Sequence, residues 1–456
     1  MPALTRQQRN EQMLNAPIGR IIPRLAVPTI ISMLITTLYN MADTYFVSGL
    51  GTDATAAVGI VYPVMTVLQA IAFTIGMGSG ANLSRCLGAG NEELGKRFVS
   101  MGFFTGLGVG ALVGLTGLTC LDDLLGLLGT PPEVMAGARQ YASYILMAAP
   151  FVMCSFVMNN FLRFQGLAFY GMIGMSTGGV LNMVLDPILI FHCGMGVTGA
   201  ALATAISQAV SFCLLLIMTN RGGKAIAISP RNFRPTAKMY LQMINNGLPS
   251  LGRQGIASVS GILLNRTAGL YGTAAIAAMA IVGRCVMFVN STVIGFGQGF
   301  QPVCGFCFGA GRYERVKEAF WFCVKVATVI LLVMGMSVFL LATPLVQAFT
   351  ADPAVLDVGV RALRRQLLTI PLWGFIVMSN MFTQSIGYGL RATVISVARQ
   401  GLFLIPLLVL FSGLWGLDGL LMAQPAADLA TFALALVIVM QVLRGFAGKE
   451  KLQPDA

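Results

Sequence analysis

Charge is what this chain most lacks. Only 10% of its 456 residues are Asp, Glu, Lys or Arg, against 56% that are hydrophobic. Soluble globular proteins carry about 25% charged residues, so a polar shell around 48.3 kDa cannot be assembled here. Most of the surface must face something apolar, and the mean hydropathy of +0.79 points to lipid. Histidine occurs once, at His192. Intramembrane serine–histidine proteolysis would lack its partnered base, and the loops carry no acidic metal motif, so an enzyme is not expected. Alternating runs of about 10 residues, the mark of a membrane β-barrel, are absent as well. The opening stretch, MPALTRQQRNEQMLNAPIGRIIPRLAVP, has no small-residue cleavage site and stays polar and basic before its first apolar run. It reads as a cytoplasmic tail over residues 1–24 rather than a signal peptide.

Nine cysteines add little. Most lie in or beside apolar runs, where cysteine behaves as a small hydrophobe, and the Cys304–Cys307 pair has no second pair or histidine to complete a metal site. The net charge of +12 does not form a nucleic-acid patch either. Arg221, Lys224, Arg231, Arg234 and Lys238 sit in a short gap between apolar runs, as in the cytoplasmic loops of membrane proteins.

A membrane span needs about 20 mostly apolar residues. Such runs fall near 25–48, 56–82, 98–120, 138–160, 168–191, 197–220, 243–269, 275–303, 318–342, 362–386, 392–413 and 417–444. Alternate loops hold Arg85, Lys96 and Arg97; Arg163; the 221–238 cluster; Arg312, Arg315 and Lys317; and Arg391. The tails add Arg6, Arg9, Arg20, Arg24, Arg444, Lys449 and Lys451, whereas the other loops carry mainly acids such as Asp53, Asp122, Asp123, Asp357 and Asp418. Both termini are therefore expected in the cytoplasm. Arg361, Arg364 and Arg365, at the outer start of the tenth span, break the pattern.

The chain also repeats itself. At an offset of 221, Pro28 falls on Pro249, Gly76 and Gly78 on Gly297 and Gly299, Cys86 on Cys307, Gly88-Ala89-Gly90 on Gly309-Ala310-Gly311, and Lys96 on Lys317. Six spans per repeat return the chain to its starting side, so the halves are parallel repeats about an axis along the membrane normal. Carriers built this way bind between the halves and alternate access by rocking one against the other. The predicted fold is an all-α membrane protein of twelve transmembrane helices in two six-helix lobes. The lobes span 25–220 and 243–445, joined by a cytoplasmic linker at 221–242 and followed by a tail at 446–456.

This reading places two acids, Asp43 and Asp186, deep within spans. An intramembrane carboxylate is costly and by default marks an ion or proton path. Each lies about five residues from the outer end of its span, about 7–8 Å deep at 1.5 Å per residue. Asn182 shares a helix face with Asp186, as Tyr39 and Asn40 do with Asp43, and Thr204 reaches a similar depth. Carboxylates with amide and hydroxyl oxygens suit a small cation, or a proton shared by coupled acids. The second half has Leu264 where the first has Asp43 and no acid in the stretch matching Asp186. Arg284 and Arg399, also within spans, either brace a helix end or carbonyl cluster or face the cavity. The cavity walls are expected to be apolar and adaptable, drawn from 26 Met and 28 Phe.

The motifs P-T-I-I-S (28–32), Y-N-M-A-D-T-Y-F-V-S-G-L-G (39–51), L-G-A-G-N (87–91), L-R-F-Q-G (162–166), L-N-M-V-L-D-P-I-L-I-F (181–191), G-V-T-G-A-A-L-A-T (196–204), N-R-T-A-G-L-Y-G-T-A-A-I-A (265–277), G-F-G-Q-G-F-Q-P-V (295–303) and F-G-A-G-R (308–312) together resemble the multidrug and toxic compound extrusion (MATE) family. The resemblance runs from Pro28 to about residue 440. It implies two six-helix lobes in a V, and secondary active export of organic cations and other amphipathic drugs driven by Na⁺ or H⁺ entry. No other cofactor, no structural metal and no nucleic acid is implied. It implies coupling at Asp43, Asp186, Asn182 and Thr204, where a transient Na⁺ could sit, with Tyr39, Tyr141 and Asn159 in support. The expected setting is the bacterial inner membrane, with lipid and small molecules as partners and a monomer as the working unit. A lipid or lipid-linked oligosaccharide flippase of the same superfamily is the rival, kept open by Arg253, Arg266, Arg284 and Arg399.

The charge pattern makes a topological prediction. In a background freed of native cysteines, a cysteine placed in 121–133 should react with an impermeant thiol reagent from outside. One placed in 226–236 should react only after permeabilisation. The opposite labelling would invert the orientation.

Overall fold

The computed structural model describes residues 5–220 and 225–450. Arg221, Lys224, Lys449 and Lys451, of the basic link and tail, lie outside the residues whose side chains are described. No β-strand occurs among the described residues.

The first lobe begins with a short helix α1 (Arg6–Asn15), capped by Thr5 and Gln8. It continues through α2 (Ile18–Ser48), α3 (Thr52–Gly88), α4 (Glu92–Thr119), the short α5 (Leu121–Leu127), α6 (Pro132–Phe164), α7 (Ala168–Pro187) and α8 (Gly196–Asn220). The second runs through α9 (Ala237–Gly269), α10 (Thr273–Gly309), α11 (Tyr313–Leu340), the short α12 (Ala342–Gln347), α13 (Pro353–Leu367), α14 (Ile370–Ser385), α15 (Gly389–Val397) and α16 (Leu404–Glu450). Matching π-turns, Ile188–His192 and Ala398–Leu402, follow α7 and α15.

Among the described residues, nine stretches are long and apolar enough to cross a membrane, and α13 with α14, bent by 55°, makes a tenth. The longest, Gly389–Phe446, turns back at Gly416, whose φ of 58° lies in the left-handed region, and so crosses twice. Helix α9 is long enough at 33 residues but carries Lys238, Arg253 and Arg266. Together these make the twelve predicted spans.

The bend between α13 and α14 accounts for the arginines that broke the charge pattern. Helix α13 is amphipathic, burying Val355, Val358, Ala362, Leu363 and Leu367 on one face. On the other face Arg361 pairs with Asp357 at 2.6 Å, and Arg365 pairs with Asp418 at 2.6 Å. Arg364 lies 5.5 Å from the ring centre of Phe339. Two of the three charges are thus matched to acids at the same end of the lobe, so the group carries little net topological signal.

The repeat becomes a pseudo-two-fold in space. A Cβ on Gly78 would run into the Met243 backbone, and one on its mate Gly299 into Ala26, itself the mate of Gly247. Gly88 lies against the Phe306 carbonyl and Gly309 against that of Arg85, again a reciprocal pair. Within each lobe, Gly76 lies against Asn160 and Gly297 against Met381, which are also mates. At the inter-lobe points, Gly78, Gly88, Gly299 and Gly309, side chains are excluded because helices of the two lobes meet backbone to backbone, as small residues permit in membranes. Thr29 Oγ1 reinforces the seam by donating to the Gly295 carbonyl at 2.6 Å, and Thr37 meets Ser291 at 3.1 Å.

All the inter-lobe glycine crossings fall at the end where the termini lie. There Arg6 pairs with Glu92 of the first lobe, while the Met13 carbonyl accepts from Arg315 Nε of the second at 3.2 Å. Phe446, near the other terminus, packs on Phe308 and Tyr313. Toward the opposite ends of the same helices, Gly59, Gly261 and Gly283 have no neighbour within 4 Å, and Tyr45, Tyr62, Val259 and Ile262 are exposed. The lobes pack at the terminal side and part toward the other.

Gly78→Val and Gly309→Val should each lower the thermal midpoint of the purified protein, by the equivalent of about 1–3 kcal/mol or more, because the obstructing atoms are backbone. Gly59→Ala, with open space around it, should leave the midpoint unchanged or raise it slightly. Equal tolerance at the three positions would contradict the glycine seam.

Candidate functional site

Five helices of the first lobe converge near its open end. Asp43 lies one turn from the end of α2, and Asp186 ends the regular part of α7, just before Pro187 and the π-turn. Such turns inside helices often accompany functional sites, since they re-aim side chains without ending the helix. Asn182 stands one turn before Asp186, Thr204 comes from α8, and Tyr141 from α6.

The expected helix-face geometry is realised. Asn182 Nδ2 donates to Asp186 Oδ1 at 3.1 Å and reaches Thr204 Oγ1 at 3.4 Å. Asp186, Asn182, Thr204, Tyr39 and Tyr141 are all buried, while Asp43 is half-buried. Asp43 Oδ1 and Asp186 Oδ2 are buried without a hydrogen-bond partner among the described residues. Leaving a buried acceptor unmatched costs about 1–3 kcal/mol, more if it is charged. The two carboxylates lie within electrostatic reach of each other, and Tyr141 within reach of both.

A cavity of about 300 Å³ opens over this cluster. Tyr39, Asn40, Asp43, Tyr141, Asn182 and Thr204 line it, together with apolar Val47, Val58 and Met65. Asn40 spends its amide on the Thr36 carbonyl at 2.8 Å, which leaves its oxygen for the cavity. Asn159 is not brought here. It sits at the terminal end of α6, where its Oδ1 faces Gly171. That is fifteen residues along α7 from Asp186, about 22 Å at 1.5 Å per residue. No cluster of three His, Cys, Asp or Glu side chains occurs among the described residues.

The second lobe lacks the counterpart. Its equivalent cavity holds about 30 Å³, with Leu264 in the place of Asp43 and, at the offset of 220 by which Gly196 and Gly199 match Gly416 and Gly419, Gln424 in the place of Thr204. The expectation that only Asp43 and Asp186 lie deep within spans, however, fails at Asp428. This residue is fully buried on α16, eleven positions into the twelfth predicted span. Arg399 Nε and Gln424 donate to its Oδ1 at 2.8 and 3.1 Å, Trp373 Nε1 and Thr369 to its Oδ2 at 2.6 and 3.0 Å. Arg399 also stacks 4.1 Å from the Trp373 ring centre. Bracing, one of the two roles open to Arg399, is therefore realised through a carboxylate rather than a carbonyl cluster. Arg284, the other arginine for which bracing was expected, is exposed. The position of Asp428 inside an apolar run was signal enough to find it, and helical spacing puts Gln424 on its face; Thr369 and Trp373, from the start of α14, and Arg399, from the π-turn, are announced by no local spacing.

A family model described as MatE matches residues 28–188 and again 249–410, once per lobe. The chain belongs to the MatE family. It is therefore a multi-pass membrane transporter rather than an enzyme, and its relatives bear this out. The multidrug export protein MepA of Staphylococcus aureus (strain MRSA252) is 28% identical over 430 residues, covering 94% of this chain and 95% of that one. The MepA of Staphylococcus saprophyticus is 30% identical over 420 residues, 92% of each chain. Among solved structures, an outward-facing multidrug resistance MATE transporter superposes with a TM-score of 0.92 at 26% identity, across 98% of this chain and 100% of the other. A MOP superfamily transporter from Pyrococcus furiosus, whose reversed pocket polarity is described as suggesting a different function, superposes at 0.89 with 27% identity, over 98% and 99%. The MatE fold thus covers both lobes and the cleft between them.

Because Asp428 is saturated with donors and Asp43 has none among the described residues, their truncations should differ. Asp428→Ala strands Arg399 in the lobe and should cost about 3–5 kcal/mol, read as a large drop in thermal midpoint. Asp43→Ala should leave the midpoint within a few degrees of the parent. The reverse ranking would show that the second-lobe network is dispensable.

Proposed function

We propose that this MatE protein is a secondary active multidrug antiporter, exporting amphipathic and cationic compounds in exchange for Na⁺ or H⁺. The reading places it in a bacterial inner membrane with both termini cytoplasmic. The lobes 25–220 and 243–445 rock as two bodies about the 221–242 linker, and a single chain is the working unit. With the terminal side inside, the lobes are closed toward the cytoplasm and parted toward the exterior. The multidrug description of the MepA relatives supports the substrate class.

One observation carries the coupling assignment. Two carboxylates from different helices lie within electrostatic reach of each other, Asp43 lining the cavity and Asp186 hydrogen-bonded to its lining residue Asn182, each with a buried oxygen left unmatched. Two negative charges in a poorly hydrated space repel, and a small cation or a proton relieves both the repulsion and the missing bonds. Asp43 and Asp186 would hold the cation's charge. Asn182 and Thr204 supply neutral oxygens, and Tyr39 and Tyr141 close the wall. Binding draws α2, α7 and α8 together and reshapes the cavity wall, which lowers drug affinity. Drug binding must then weaken cation binding by the same factor, and that reciprocity is what antiport needs.

Asp43→Asn and Asp186→Asn should each abolish gradient-driven efflux from vesicles while expression and folding persist, since the amide is nearly isosteric. Asn182→Ala and Thr204→Ala should slow efflux less, about tenfold rather than completely, because each removes one neutral ligand. Imposing Na⁺ and pH gradients separately identifies the coupling ion. Efflux that survives with its cation dependence in the Asp43→Asn, Asp186→Asn double variant would sink the proposal.

A further inference from the structure

The second lobe holds a different pocket, of about 120 Å³, whose polarity is opposite to that of the first-lobe site. It lies among α9, α10, α14 and the π-turn after α15, and its lining includes Arg253, Asn290, Asn380, Arg399 and Gln400. No aspartate or glutamate lines it. The nearby carboxylate, Asp428, stands behind Arg399 and already accepts from Arg399 Nε, Gln424, Trp373 and Thr369. Arg399 meets it through Nε alone, and neither terminal nitrogen of its guanidinium donates a hydrogen bond to a described residue. The Trp373 ring fixes the plane of that guanidinium. Arg253, across the pocket on α9, has no ion pair or hydrogen bond among the described residues. Two guanidinium groups and one satisfied carboxylate leave this corner of the lobe with an uncompensated positive charge.

We propose that this pocket binds the carboxylate of an amphipathic anionic or zwitterionic substrate, with Arg253 and Arg399 as the two recognising cations. Guanidinium groups match the planar, two-oxygen geometry of a carboxylate and are less strongly hydrated than an ammonium, so they suit such a partly buried site. The space is that of about four waters at about 30 Å³ each. It admits a carboxylate with its adjoining carbons but not a drug-sized body, which remains in the cleft. Asn290 and Gln400 add neutral donors at the rim. The apolar Ile294, Ile376 and Val377 keep the surroundings dry, where charge-assisted hydrogen bonds are strongest. The inference rests on the reading of the cleft as a drug chamber, but it does not involve cation coupling.

Equilibrium binding to the purified full-length protein in phosphatidylcholine nanodiscs, without any ion gradient, tests it. The probes are pyrene-1-butyrate and its methyl ester, which share a body and differ in charge. The acid should bind about tenfold tighter or more, the factor that one charge-assisted hydrogen bond supplies. In Arg253→Gln the preference should fall to about twofold or less, and in Arg253→Lys it should persist in part, with thermal midpoints reporting that both variants fold. Equal affinity for acid and ester in the parent protein, or an undiminished preference in Arg253→Gln, would overturn the carboxylate site while leaving the drug chamber intact. Failure of both probes to bind would overturn the chamber reading with it. Displacement of the acid by phosphatidylglycerol at constant total lipid would assign the pocket to a lipid phosphate and overturn the substrate assignment.

Discussion

The close crossing of helix backbones between the lobes is the constraint on which the rest of this transporter depends. In lipid there is little hydrophobic drive to hold helices together, so attachment must come from close packing and hydrogen bonds. Gly78, Gly88, Gly299 and Gly309 make that packing possible at the terminal side, in reciprocal pairs fixed by the repeat. Confining the tight crossings to one end leaves the other ends of α2, α3, α9 and α10 without equivalent contacts. A cleft open to one side follows from where the glycines are placed. The helix α1 adds polar ties to both lobes at the same end, through Glu92 and Arg315.

Around this shared frame the two lobes diverge chemically. The first keeps carboxylates with unmatched oxygens beside a roomy cavity, an arrangement held in readiness for a positive guest. The second fills the corresponding space with Leu264 and Gln424 and encloses its acid, Asp428, in a complete set of donors. A buried acid whose bonds are complete stiffens its helices, whereas one whose bonds are incomplete invites a ligand. The same residue type is thus fully bonded in one lobe and left with open oxygens in the other. The excess guanidinium charge of the second lobe lies at a different depth, among residues that do not correspond to the first-lobe site.

Much of this was legible without coordinates, for identifiable reasons. Long apolar runs set the spans, because lipid demands continuous helix. The 221-residue offset revealed the pairing of halves, because Gly, Pro and Lys positions in it are constrained by backbone geometry and by the membrane boundary. Asn182 and Asp186 were predicted to share a face by helical spacing alone, and they do so at 3.1 Å. The bent start of the tenth span was not legible. Its arginines are explained by Asp418, more than fifty positions away, and by a turn that no span-length argument contains.

What the sequence determined by itself is periodic or local: the helices, their number, the duplication, and the candidacy of acids too costly to bury idly. What only the tertiary structure decided is which polar groups complete one another. Asp428 and Asp186 look alike in sequence, each an acid in an apolar run. Only the arrival of Arg399, Trp373 and Thr369 from distant segments satisfies one of them, while Asp186 is left with an open oxygen. Asn159 was the weakest of the supporting candidates, since the predicted span 138–160 already puts it at the opposite end from Tyr141, and the structure leaves it there against Gly171. Hydrogen bonding saturates within about 3 Å, and distances of that kind between separate helices are set by packing, not by spacing along a chain.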